Sequence, residues 1–162
     1  MEMIIIYRKV TDFITDWANA SKGTTQVFES MTDETLDQVI VEGHNSLGWL
    51  GWHLATVPAF YAELVGLNLK PSSESKEVPK DASTILHTYK KVSEELLQEA
   101  EQYLTDKQMI EEVDFFGRLT PRGVLLRQLI DHQTHHRGQM TVLLRQAGLT
   151  VPGIMGPTQE NN

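Results

Sequence analysis

Apolar residues recur at intervals of three and four over four stretches of this 162-residue chain. The first, from about Tyr7 to Met31, lines up Val10, Phe13, Ile14, Trp17, Thr24, Val27, Phe28 and Met31. That spacing predicts an amphipathic helix buried along one stripe. Thr32-Asp33-Glu34 ends the pattern, and Asn45 or Ser46 can cap a second helix running to about Leu64. Its predicted buried face carries Trp49, Leu50, His53, Val57, Phe60 and Leu64. Gly48 and Gly51 each cost about 1 kcal/mol against alanine in a helix, which points to close backbone packing or to space left beside a ligand. Pro58 lacks an amide and predicts a kink just past His53.

A polar, proline-bounded stretch from Lys70 to Pro79 reads as a linker. Asp81 or Ser83 then caps a third helix whose stripe is Ile85, Tyr89, Val92, Leu96, Ala100 and Tyr103. No stretch alternates strictly enough to predict a strand. Val113-Asp114-Phe115-Phe116-Gly117 reads as a short extended or turn-like piece that packs two aromatics on the end of the helices. Thr120-Pro121 is a helix start, cap followed by proline at the first helical position, and the fourth helix runs to about Ala147 before Gly148 stops it. Four such helices predict an all-α four-helix bundle, one domain over residues 1–162 with a loosely held tail from about 149.

Composition narrows the chemistry. With 22 acidic and 14 basic residues the formal charge is −8, which disfavours a general nucleic-acid binder. There is no cysteine, so disulfides, thiolate metal sites and a cysteine nucleophile are excluded, and a reducing cytoplasm fits. The apolar run after Met1 is short and follows an acid, unlike a secretory signal, and the uncharged stretch Gly43–Ala62 carries His44, Asn45, Ser46, His53 and Pro58, unlike a membrane span.

The histidines carry the main chemical signal. In Asp131-His132-Gln133-Thr134-His135-His136-Arg137-Gly138-Gln139, His132 and His136 are four apart and share a helix face with Leu125, Leu129, Met140 and Leu143. His53 lies in the apolar stripe of the second helix. Three inward imidazoles need partners for their ring nitrogens. A divalent cation held by all three is one solution, with outer nitrogens fixed by carbonyls or by Gln or Asp side chains, and ordinary hydrogen bonds to the protein are the other. No glutamate accompanies the pair as in the zinc-protease helix motif. His135 falls on the flank, His44 in a loop and His87 opposite the third helix's stripe. Arg137 points away from the histidine face and reads as a surface or helix-to-helix ion pair, whereas Gln139 lies nearer that face and can bond a ligand or a neighbouring helix. Glu42 and Glu63 are candidate bases whose distance from the histidines the sequence does not fix.

Three stretches together resemble the DinB/YfiT-like family of damage-inducible bacterial proteins. They are Gly51-Trp52-His53-Leu54-Ala55, the run His132-Gln133-Thr134-His135-His136-Arg137-Gly138-Gln139, and the lead-in Thr120-Pro121-Arg122-Gly123-Val124-Leu125-Leu126 with its ending Leu143-Leu144-Arg145-Gln146-Ala147-Gly148. The resemblance implies up-down-down-up topology with a long crossover between the second and third helices. It also implies a homodimer and a divalent metal, zinc or nickel, on His53, His132 and His136. Activities in such a family are thiol-dependent, which implies a low-molecular-weight thiol as partner and a small-molecule substrate. The chain departs from the pattern at Val57-Pro58-Ala59-Phe60, where many relatives carry an acid; here the first acid is Glu63. The expected function is therefore a metal-dependent thiol S-transferase. A metal-dependent hydrolase and a non-catalytic, stress-related binding dimer are the alternatives.

Overall fold

A computed structural model describes residues 7–70 and 77–161. The apolar run at Met1–Ile6 and the middle of the Lys70–Pro79 linker lie outside the described residues. The chain is mostly helical: α1 is Val10–Glu29, α2 Leu47–Leu64, α3 Ala82–Tyr103, α4 the single turn Asp106–Met109, and α5 Arg122–Gln146. Between α4 and α5, β1 (Glu112–Phe115) pairs antiparallel with β2 (Arg118–Pro121), Phe115 opposite Arg118 and Glu112 opposite Pro121. No helix among the described residues is long and apolar enough to cross a membrane.

Capping chemistry sets where the helices begin. Ser46, rather than Asn45, accepts the Trp49 amide at 3.1 Å, and Asp81, rather than Ser83, accepts the Thr84 amide at 2.8 Å. The start of α5 differs from expectation. Thr120 caps nothing; its hydroxyl donates to the Arg118 carbonyl, and Pro121 closes β2 before the helix starts at Arg122. The hairpin is itself a correction to the strand-free reading. Phe116 and Gly117 both have positive φ, 53° and 81°, the two-residue turn that matches strand twist. Only Phe115 packs against the core, whereas Phe116 stands 84% exposed.

The four long helices pack in a ring, α1 and α2 each lying against both α3 and α5. Two apolar clusters fill the interior. One gathers Phe13, Trp17, Leu96, Leu125 and Leu129, the other Phe28, Leu54, Ile85, Tyr89, Met140 and Leu144. Between them, where α5 presents Gln133 and Arg137, lies a buried polar layer. Tyr89 donates to Gln133 Oε1 at 2.9 Å and Thr24 to the same oxygen at 3.3 Å. Gln133 Nε2 donates, at 3.5 Å, to the Leu54 carbonyl. That carbonyl would have received the amide of residue 58 in an unbroken helix, but Pro58 has none. Helix α2 continues through Pro58 to Leu64, with α5 supplying a donor to the carbonyl that the proline leaves open. One glutamine thus touches α1, α2 and α3.

The face that α2 buries is not the expected one. Leu47, Leu50, Leu54, Ala55, Pro58 and Ala62 are buried, whereas Trp49 and Phe60 are exposed and His53 is half-buried. Gly51 faces α3, where an added Cβ would come 3.1 Å from Ile85, and Gly48 faces the Leu36 carbonyl at a similar distance. Both glycines serve close packing rather than ligand space. In α3 the expected stripe is buried except at its end, where Tyr103 is exposed. The tail, expected to be loosely held, has Val151 buried and Ile154 packed beside the second cluster, and Glu160 accepts from Arg145 at 2.7 Å.

Candidate metal centre

His53, His132 and His136 come together as the spacing anticipated. One ring nitrogen from each lies within 4.8 Å of the others, and His53 Nε2 faces His132 Nε2 at 2.9 Å. The depth differs from expectation. All three rings are half-buried, so they sit at the rim of the α2–α5 groove rather than deep between the helices. The rotation of α2 explains this, since turning the small residues inward carries the His53 stripe to the edge.

Neighbouring groups fix the rings. Trp49 stacks on His53 with centroids 4.8 Å apart and planes 17° apart. Gln139 Oε1 accepts from His136 Nδ1 at 2.7 Å. A proton held at Nδ1 leaves the His136 Nε2 lone pair bare, the orientation that metal-binding imidazoles require. The buried Nδ1 of His132 has no hydrogen-bond partner among the described residues, so its ring is oriented by packing and by whatever meets Nε2.

Protonation favours lone pairs as well. Burial, aided by the nearby His136, His53 and His135, pushes His132 down to about 4, and burial with His136 also lowers His53. Both are neutral donors at neutral pH, the state that a divalent cation binds. The three histidines could hold a metal ion, and the fit rests on the chemistry of these donors.

Other candidates fall elsewhere. His135 is exposed, its ring 4.9 Å from that of His136. His44 lies exposed in the loop before α2, and His87 is exposed on α3. Glu42 and Glu63 are both exposed and neither joins the histidine cluster. Arg137 overturns its expected place. It is 6% exposed, and its guanidinium donates to the Ala20 carbonyl at 2.9 Å and to Thr24 at 3.4 Å, joining α5 to α1 through uncharged acceptors. Its long stem lets a charged head reach across the helix interface. Gln133, which the sequence shows only as a member of the histidine run, is fully buried, a polar residue in the middle of an apolar arc.

A ring of helices carrying three convergent histidines from two of them defines a class of helical proteins with a site that could hold a metal ion. The DinB family profile matches residues 6–162, and the chain belongs to the DinB family. It is 37% identical over 155 residues to the uncharacterised protein YrdA of Bacillus subtilis (strain 168), covering 96% of this chain and 93% of that protein. A crystal structure of a DinB-like protein from Bacillus cereus ATCC 10987 superposes with a TM-score of 0.87 at 40% identity, covering 91% of this chain and 99% of that one. The DinB-like protein YjoA of Bacillus subtilis shares the fold, with a TM-score of 0.71 at 20% identity over 90% of this chain and 99% of that one.

Proposed function

We propose that this chain is a metal-dependent thiol S-transferase, with a divalent cation, zinc or nickel, held by His53, His132 and His136. The observation that supports it is the convergence of three ring nitrogens, two of them on histidines kept neutral by their surroundings. A bound divalent cation supplies positive charge that lowers the pKa of a thiol and sustains thiolate at neutral pH. The chain has no cysteine, so the sulfur nucleophile comes from a low-molecular-weight thiol. Gln139 keeps His136 in the right tautomer, Trp49 holds the plane of His53, and the half-buried rim leaves the rings open to a small molecule from the solvent side. No carboxylate joins the cluster among the described residues, which favours a nucleophile that arrives with its own acidity over hydrolysis with a protein base.

The reading extends to the whole chain. The long helices run up-down-down-up with a long crossover between α2 and α3, and the protein works in the cytoplasm as a homodimer on a small electrophile. The test gives metal-loaded protein a thiol and a model electrophile. Conjugation well above that of His136→Ala is expected. Equal rates would remove the transferase; turnover of an ester without added thiol would replace it with a hydrolase, and no turnover at all with a binding protein.

A further inference from the structure

Beside the histidines opens a cavity of about 230 Å³. Its walls are the aliphatic side chains of Ile40, Leu50, Val142 and Leu143, with His44 and Asn45 contributing from the loop before α2. Gln139 completes it, and the same side chain holds His136 Nδ1, so one residue belongs to both the cavity wall and the histidine centre. The positions agree: Leu50 precedes His53 by one turn of α2, and Gln139 follows His136 by one turn of α5.

The chemistry of the cavity is one-sided. None of its lining residues is Asp, Glu, Lys or Arg, although these make up 22% of the chain. Ile40 and Val142 leave 59% and 44% of their surface open to water, in a concave place where aliphatic surface favours a ligand. The larger clefts beside Arg137 are different, walled by Asp16, Lys22, Arg145 and the tail. A cavity of roughly 150 Å³ accepts benzene, so this one takes a single ring with a short substituent or an alkyl chain of about six carbons.

We infer that this cavity is the subsite for an uncharged apolar group of the substrate, the polar head of the same molecule reaching the three histidines. The substrate class is thus a small amphiphile, with a head that can bind a metal and a body the size of a phenyl or hexyl group. The head's role rests on the proposed metal centre; the cavity's preference for an apolar body does not.

The experiment titrates zinc-loaded protein with n-alkyl thiols from ethyl to hexyl, reading affinity by calorimetry and the methyl resonances of Ile40, Leu50, Val142 and Leu143 by NMR. Affinity is expected to rise by up to about fourfold for each methylene buried, with shifts at those methyls. Val142→Trp, at an exposed wall position, is expected to fill the cavity and flatten the series. Equal affinities along the series, or a slope that survives Val142→Trp, would overturn the inference and leave the metal centre intact. Ion-stripped protein given 1-hexanol separates the two claims. Shifts at the four methyls support the cavity even if zinc never binds, and their absence counts against it.

Discussion

Gln133 has no solvent contact and meets three other helices through its amide, so its replacement is costly in a definite way. Gln133→Leu keeps roughly the volume but removes the acceptor of the Tyr89 hydroxyl and the donor to the Leu54 carbonyl. A loss of about 2–4 kcal/mol in urea unfolding is expected, and a change within about 0.5 kcal/mol would show the polar layer to be incidental. Protonation gives a second residue-level expectation. His132, ordinarily near 6.5, is depressed to about 4 in the folded protein, so between those values the unfolded chain binds more protons. Its contribution to stability is therefore whole above about 6.5 and is lost as pH falls toward 4. The urea midpoint of ion-free protein is expected to drop across that window more than that of His132→Leu; parallel curves would show that His132 is not the group responsible. His132 and His136 were legible because four-residue spacing stacks side chains whatever the tertiary context. Gln133 and Arg137 were not, since a polar residue in an apolar arc reads as a break in the pattern until its partners are seen.

Among the elements, α2 shows where periodicity stops being informative. Nearly every position from Leu47 to Leu64 is apolar, so several faces fit the spacing equally well. Packing chose the one with Gly51, Ala55 and Ala62, where α3 and α5 can approach closely, and left Trp49 against His53 and Phe60 beside Phe116. The hairpin escaped notice for another reason. Each strand has only four residues, and Phe-Gly is not the Asn-Gly pair that announces such a turn. Phe116 holds a bulky side chain at φ 53°, a region in which Asn is far more at ease, and its ring is mostly in water. Phe116→Asn is expected to raise stability by about 1 kcal/mol in thermal or urea melts. A loss of similar size would mean that the contacts of its ring with Phe115 and Phe60, centroids 4.8 and 6.3 Å away, outweigh the backbone strain.

At the scale of the molecule, two apolar clusters are separated by one polar layer, and the histidine centre opens at the height of that layer. The same stretch of α5 supplies Gln133 and Arg137 to the interior and His132 and His136 to the rim, so interior hydrogen bonds on one side hold the helix that aims the rings on the other. The helical class and the histidine triad were readable from spacing, whereas the tilt of the site toward solvent followed from packing that no single helix reveals. The most direct test of the central claim is the metal content of protein purified without an affinity tag, compared with His53→Ala by elemental analysis. About one divalent ion per chain in the wild type and almost none in the variant is the expected result. An ion-free wild type, or equal metal in both, would contradict it.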